Sequence, residues 1–336
     1  MAVVSMMRTT EYLTWTTKLT TSLDPFDDAL DDLRISGTVL LHETYAAPWS
    51  IAVPQEQRLR EVLGAGADVR VLPFHLVRRN SFELHMEGRA PVTVSEPEVL
   101  ICPSGAPHRM SSGHGGGTIA LDDILRGNGP ALASAEDETA TELVCGVFMA
   151  RAAPLNPMLG ALPPVLKVST GDTRTGPMLS GAAEMLAAEL ARGSRGGFTA
   201  SRLLEVICAE AFRAYQRAEG AENAGWFRGL ADPKISEAIR QVHADPAHEW
   251  TVEKLADTVA LSPSRFAARF RDTTGQSVIA YVGRWRANVA CRLLRDTDLP
   301  LTEIGHRVGY DSLPAFSRAF KAQLGMPPAT WRSMSS

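Results

Sequence analysis

A helix, a tight turn and a second helix are written twice into the last hundred residues, and this repeat constrains the fold most. In the second copy, LTEIGHRVGYDSLPAFSRAFKAQLGMPPATWR, Leu301, Ile304 and Val308 recur at helical spacing and put one apolar stripe inward. Gly309 follows where a helix must stop and the backbone can take a positive φ. Phe316 and Phe320, four apart, give the next helix one buried face. Its other face carries Ser317, Arg318 and Lys321, hydroxyl and cationic groups suited to bases and phosphates.

The first copy opens at Trp250-Thr251, where the Thr251 hydroxyl can cap the helix VEKLADTV. Lys254 stands three positions on, so the reciprocal half of a capping box is missing. Leu255, Ala256 and Val259 match Ile304, Gly305 and Val308 at an offset of 49. Phe266, Phe270, Gly275 and Tyr281 match Phe316, Phe320, Gly325 and Trp331 at an offset of 50, so the second turn carries one extra residue. Between the copies, Ile279, Val282, Trp285, Val289, Leu293 and Leu294 mark one long helix that fixes their mutual angle. A single helical hairpin is a weak signal, because any such hairpin has an apolar side. Two at matched spacing form a pair of helices able to enter DNA grooves.

Charge supports the same division of labour. The 336 residues carry a net charge of −4, which spread evenly would argue against nucleic acid. From Asp232 onward there are 14 Lys+Arg against 11 Asp+Glu, a net of +3, while the preceding residues hold 20 against 27, a net of −7. A mildly basic binding module is therefore joined to an acidic partner. The length predicts two or three domains. No apolar run reaches transmembrane length, and the opening MAVVSMMRTTEYLTWTTKLT lacks a signal peptide's apolar core, so residues 1–24 are expected to be a loose tail of a cytoplasmic protein with no membrane partner.

Upstream the texture differs. DPFDDALDDLR predicts a short helix with an N-cap, a proline in its first turn and acidic residues at its positive end. Short apolar segments then follow, cut by turn residues: SGTVLLHETY, DVRVLPFHLVR, SFELHME, PVTVS, EVLICP, GTIALDD and ELVCGVFM. They predict an antiparallel sandwich or barrel, with loops at 110–117 and 126–139.

In PEVLICPSGAPHRM a strand ends at Cys102-Pro103, a turn follows, and His108 starts the next strand. This resembles the second sequence motif of cupins, barrels that often hold a metal or small ligand, with His75 near the place of a first-motif histidine. The cupin histidine pair separated by one residue is absent, Pro97-Glu98 replaces the glycine before the strand, and no matching carboxylate stands out. Neutral imidazoles of His75, His85 and His108 can hold a divalent metal such as zinc, or can simply cap strands. Cys102 and Cys145 sit in apolar strands. A redox-sensing thiol needs exposure and a depressed pKa, which His108 and Arg109 can supply to Cys102; otherwise both are small hydrophobes.

After the proline-rich ARAAPLNPMLGALPPVL, two helices are predicted, from about Gly176 to Arg192 and from Ala200 to Glu219. This hairpin has more apolar surface than a lone pair can hide, so it either docks on the barrel or forms an isologous homodimer interface, the reading favoured here. AEGAENAGW reads as a connector, and Asp232-Pro233 begins a helix running to about Asp245.

The residues from Asp232 to Arg332 resemble the DNA-binding domain of the AraC/XylS family of bacterial transcription regulators. The match includes Ala256, Ser262, Phe266, Phe270, Gly275, Tyr281, Arg286, Ala290, Ile304, Gly309, Phe316, Ser317, Phe320, Gly325, Pro328 and Arg332. Val278 stands where the first repeat usually has proline, and Trp331 replaces the final tyrosine or phenylalanine. The N-terminal part, with PWSIAVP, ICPSGAPHRM and ELVCGVF, resembles the cupin-type sensor of one branch of that family.

The resemblance implies an α+β multidomain chain: a cupin-like β-barrel over 25–165, a helical hairpin over 166–228, and an all-α double helix-turn-helix domain over 229–336, with the two units at about 251–272 and 301–323. It implies that helices 263–272 and 312–323 enter successive major grooves of double-stranded promoter DNA. Ser264, Arg265, Ala268 and Arg269 on the first, and Leu313, Pro314 and Arg318 on the second, then face the bases or backbone. Ala268 replaces a position often occupied by arginine in relatives, which makes an apolar contact such as a thymine methyl its natural partner. Arg318 is the candidate for reading guanine, and Arg271, Ser317 and Lys321 for holding phosphate. A regulator of this kind responds to a small-molecule or redox signal and, as an activator, meets RNA polymerase. The competing class is a metal-dependent cupin enzyme fused to a DNA-binding module, against which stands the incomplete histidine–carboxylate set.

Overall fold

A computed structural model describes residues 24–66, 69–134, 137–151, 155–171, 176–193, 197–219 and 225–335. The expected N-terminal tail therefore lies, apart from Asp24, outside the described residues, as do parts of the expected connectors. The chain divides into two units, Leu33–Asn223 and a second one made from the segment ending at Asp32 together with residues 224–333.

Helix α1 (Pro25–Asp32) begins the described chain, and the β-rich unit follows it. Its strands are β1 (Ser36–Tyr45), β2 (Trp49–Val53), β3 (Val69–Arg79), β4 (Ser81–His85), β5 (Val92–Ser95), β6 (Glu98–Ile101), β7 (His108–Ser112), β8 (Thr118–Ala120), β9 (Thr141–Arg151) and β10 (Leu166–Ser169). They form two five-stranded sheets, ordered β1-β9-β3-β6-β10 and β5-β4-β7-β2-β8. All pairs are antiparallel except β2 with β8. The predicted barrel is thus two facing sheets rather than one closed sheet. Their inner faces share a core that includes Tyr45, Trp49, Phe82, Leu100, Cys102, Met110 and Leu143. Along β1 buried and half-buried positions alternate, the signature of a strand with one face inward. The interior strand β9 is buried nearly throughout, as a strand covered on both faces must be.

Three short helices, α2 (Glu56–Leu63), α3 (Leu121–Leu125) and α4 (Pro157–Ala161), join strands. Several sequence expectations need correction here. GTIALDD is a strand only to Ala120 and then turns into α3, and the loop expected over 110–117 begins after Ser112, where β7 ends. WSIAV, with its half-buried alanine, pairs with β7 and is a full sheet member.

The hairpin consists of α5 (Pro177–Ala191) and α6 (Phe198–Glu219). Helix α6 packs on β1, β9 and β10. Met178, Met185 and Phe198 remain exposed on the hairpin, at 61, 57 and 77%.

The helical unit contains α1, α7 (Trp226–Ala231), α8 (Pro233–Ala244), α9 (Val252–Thr258), α10 (Pro263–Thr274), α11 (Val278–Asp296), α12 (Leu301–Arg307), α13 (Leu313–Leu324) and α14 (Pro328–Ser335). Helix α1 is tied to α11 by a buried carboxylate: Asp32 accepts from Asn288 Nδ2 at 2.6 Å and pairs with Arg292. The repeat is explicit, because α9 and α12 are each seven residues, and α10 and α13 are each twelve. Thr251 Oγ1 accepts from Lys254 N at 3.2 Å, the single-sided cap that the sequence predicts. Phe266 and Phe270 meet at 5.8 Å and 61°, and Phe316 and Phe320 at 5.7 Å and 64°. All four are essentially fully buried. Truncating any one to alanine should cost about 3–5 kcal/mol, the usual range for a core phenylalanine.

Candidate nucleic-acid interface and inter-sheet polar group

The outward faces of α10 and α13 follow from burying their phenylalanines. A helix whose residues 266 and 270, or 316 and 320, point inward must turn positions 264, 265, 268 and 269, or 314, 318 and 321, toward solvent. Ser264, Arg265, Ala268, Arg269, Arg271, Pro314, Arg318 and Lys321 are exposed, and Leu313 and Ser317 are half-buried. Both helices carry proline in the first turn, and Ser312 Oγ accepts from Ala315 N at 3.4 Å.

The basic residues differ in how far they are already engaged. Arg269 Nε donates to Asp232 Oδ2 at 2.6 Å, and Asp232 also caps α8 through Lys234 N and Ile235 N. Burial pushes the Asp232 carboxyl up, but Arg269 and these backbone donors outweigh it and leave the pKa lowered. Arg286 is structural: its Nε and Nη2 donate to Pro246 O and His248 O, each at 2.8 Å, and its guanidinium lies 5.4 Å from the Tyr310 ring centre. Arg332 likewise donates to Leu299 O at 2.7 Å. The side chains of Arg265, Arg271, Arg318 and Lys321, all exposed, make no hydrogen bond or ion pair among the described residues.

Behind α10, Trp226 Nε1 donates to the Tyr281 hydroxyl at 3.0 Å, and that hydroxyl lies 2.8 Å from His243 Nε2. The indole can only donate, so the hydroxyl accepts from it and keeps its own proton available for His243. The His243 ring stacks on Trp285 with centres 3.5 Å apart. Helix α7, which supplies Trp226, begins at the last residue of AEGAENAGW, whose composition predicts a connector; its six residues are too short to show a period.

Between the two sheets of the other unit lies a polar group of different character. His75 on β3, Cys102 just past β6 and His108 at the start of β7 place their ligating atoms within 4.8 Å of one another, all buried. His75 Nε2 and His108 Nε2 are 2.9 Å apart, and His108 Nδ1 is 3.0 Å from Ala106 O. Burial, with the neighbouring His108 adding to it, pushes the His75 pKa well down, and burial lowers that of His108.

His85 does not join this group. Its Nε2 sits 3.2 Å from Ser111 Oγ and 3.4 Å from Glu83 Oε2, on a groove of about 590 Å³ that His108, Arg58, Glu87, Arg109 and Asp122 also line. The third partner is Cys102, which the sequence offered only as a redox candidate. The signal was the spacing of six positions to His108 across the PSGAP turn. Neither condition for a sensing thiol is met as the protein stands: Cys102 and Cys145 are buried, and burial pushes Cys102 up to about 12 and raises Cys145 as well.

Comparison with known proteins agrees with both units. Residues 24–217 match the cupin family, and residues 255–334 match a helix-turn-helix domain family. An AraC-like transcription regulator of Streptomyces lividans is 34% identical over 319 residues, covering 92% of this chain and 98% of that protein. One from Streptomyces antibioticus is 31% identical with the same coverage. Among solved structures, the DNA-binding domain of AdpA in complex with a target DNA is 31% identical, covers 30% of this chain and 91% of that one, and has a TM-score of 0.29. No helix among the described residues is long and apolar enough to cross a membrane.

Proposed function

This chain belongs to the AraC-like transcription regulators, as a cupin domain joined to a helix-turn-helix DNA-binding domain, and on that premise we propose how it engages its promoter. Helices α10 and α13 enter successive major grooves on one face of double-stranded DNA, about 10 base pairs apart. The carrying observation is the matched pair of twelve-residue helices, each presenting exposed arginine on the side opposite its buried phenylalanines. Arg318 reads a base, and Ser264, Arg265, Ala268, Leu313 and Pro314 line the base edges. Arg269, Arg271, Ser317 and Lys321 hold the backbone.

The protein acts in the cytoplasm as a homodimer and as a regulator rather than an enzyme, meeting RNA polymerase where it activates. The exposed Met178, Met185 and Phe198 of the α5–α6 hairpin support self-association, since α6 already spends its inner face on the sheet. The cupin domain receives the signal. Burial of Cys102 and Cys145 favours a bound effector over direct oxidation of a free thiol.

Footprinting on the DNA upstream of its own gene tests the bipartite reading. Two protected patches one helical turn apart are expected, with the patch under α13 weakened selectively by Arg318→Ala. A single short patch, unchanged by substitutions on α10, would refute it.

A further inference from the structure

We propose that the outer face of the β5-β4-β7-β2-β8 sheet binds a small organic monocarboxylate, its charged end held by Arg109 and its apolar body lying on Ala52 and Ala120. The proposal rests on the reading of the cupin domain as the signal-receiving part, and names the chemical class of a ligand it takes.

The pleat sets this face apart from the core. Along β7, Met110 points into the core, so Arg109 and Ser111 point outward. Cross-strand pairing fixes their neighbours. Arg109 stands between His85 of β4 and Ala52 of β2, and Ser111 between Glu83 and Ser50. Ala120 of β8 lies beside Ala52 in turn. Opposite charges on adjoining strands stabilise each other, and a long cation on a sheet surface ordinarily has such a partner. Arg109 has an imidazole on one side and a methyl group on the other.

Its donors are accordingly unmet. Arg109 is half-buried, and among the described residues its side chain makes no ion pair and one hydrogen bond, a 3.5 Å contact from Nη1 to the Ser50 hydroxyl. That hydroxyl is also 3.0 Å from Thr118 Oγ1. The nearby acids are engaged elsewhere: Glu83 Oε2 lies 3.4 Å from His85 Nε2, and Asp122 accepts from Arg58 at 2.6 Å. A guanidinium carries five N–H donors in a planar fork, so most of the fork is left for a partner from outside the protein.

The space beside it is concave. Arg109 and His85 line both a hollow of about 590 Å³, shared with Ala52, Pro54, Pro107 and Ala120, and a second of about 480 Å³, shared with Thr93, Ser111 and the turn at 113–115. Alanine at 52 and 120 makes the room. A carboxylate offers two coplanar oxygens that match the guanidinium fork, while the alanines and prolines cover an apolar body. Glu87 lines the first hollow as well and makes no ion pair among the described residues. A second negative charge on the ligand would meet repulsion there, which favours a monoanion over a phosphate.

The full-length protein is titrated by calorimetry with three probes. Cyclohexanecarboxylate carries both features, cyclohexylmethanol the body without the charge, and inorganic phosphate the charge without the body. One equivalent of carboxylate per chain is expected, with the other two weaker by about tenfold or more. Arg109→Gln should weaken carboxylate binding by about tenfold or more. Ala52→Leu, which fills the first hollow from outside the core, should do the same at an unchanged melting temperature. Arg126→Gln alters an exposed arginine paired with Asp123 outside the groove and should leave binding as it was. Absence of saturable carboxylate binding overturns the proposal, as does equal affinity for the alcohol or for phosphate, or full affinity in Arg109→Gln. Should Arg109→Gln fail to fold, full affinity in Ala52→Leu overturns it instead. Self-association lost in Arg109→Gln, with no carboxylate bound by the wild type, assigns the groove to a second copy of the chain and overturns it too. Promoter binding in the same samples separates the two readings. Carboxylate bound at Arg109 with DNA affinity unchanged removes the signal-receiving reading and leaves the site, whereas intact DNA binding with no carboxylate site removes only this inference.

Discussion

Arg269 of α10 and Asp232 at the start of α8 form an ion pair at 2.6 Å, so a side chain on the DNA-facing helix also holds the preceding helix in place. Arg318 on α13 is equally exposed but has no such partner among the described residues. The two recognition helices share one frame yet offer DNA different chemistry, an engaged arginine and an uncommitted one.

Arg318→Ala should therefore cost about 1–3 kcal/mol at the cognate site and relax one base position. Arg269→Ala should weaken binding to all sequences alike, with a shallower salt dependence, because a backbone contact carries no sequence information. Gel-shift titrations on the promoter and on single-base variants distinguish the two. A uniform loss for Arg318→Ala would reduce it to a phosphate contact.

Asp232→Ala removes the α8 cap and the Arg269 anchor together. The cap alone is worth about 1 kcal/mol, and the half-exposed ion pair adds only a few tenths. Chemical denaturation should show a loss of this size, with no change in which bases are read.

Gly309 should tolerate no side chain. It sits at φ +83°, and a Cβ there would meet Arg286 Nη2 at 2.6 Å and Ala247 O at 2.7 Å. The left-handed backbone alone costs about 1–2 kcal/mol in a residue with Cβ, and displacing Arg286 from its two carbonyls adds to it. Gly309→Ala should lower the melting temperature of the helical unit and weaken promoter binding with it. Unchanged melting would show that the second turn relaxes freely.

Acid should loosen the helical unit through His243. Burial lowers its pKa, opposed by Asp28, whose carboxylate is 3.7 Å away; the Tyr281 hydroxyl and Trp285 ring close the other sides. The folded protein thus prefers the neutral ring. Its contribution is complete above the ordinary histidine value of about 6.5 and is lost as pH falls from there through the lowered folded pKa. Denaturation of the full chain at pH 7.5 and 5.5 should show a loss that His243→Gln reduces. An equal loss in the variant assigns the acid sensitivity elsewhere.

Much of this was legible in the chain because the decisive signals are local. The phenylalanine spacing in α10 and α13, and the offset of 49 becoming 50 across an enlarged turn, depend on neighbours within a few residues. SGTVLLHETY likewise reads as β1 to the residue. What was not legible depends on long-range closure. His75 meets Cys102 and His108 only because β6 pairs beside β3 while β7 crosses to the facing sheet, and nothing in LPFHLVRR announces that pairing. The contacts of helix α1 were not legible for the same reason, since Asp32 finds its partners more than 250 residues away.

That last contact gives the most exacting test. Desolvation raises the Asp32 pKa, and Arg292 and Asn288 recover only part of the cost. The folded state therefore favours the protonated acid, and stability should fall as pH rises from the ordinary value of about 3.9 through the raised one. Arg292→Ala leaves the buried carboxylate with Asn288 alone, a loss of about 1–3 kcal/mol near neutral pH and a smaller one below pH 4. Adding Asp32→Asn removes the charge while keeping an oxygen for Asn288, so the double variant should recover much of that loss. A double-mutant cycle by chemical denaturation, run at pH 7 and pH 4, measures the coupling. Strictly additive effects at both pH values would mean that Asp32 and Arg292 are not coupled, and that α1 is held by its apolar face, Phe26 and Ala29, and by the Asn288 contact.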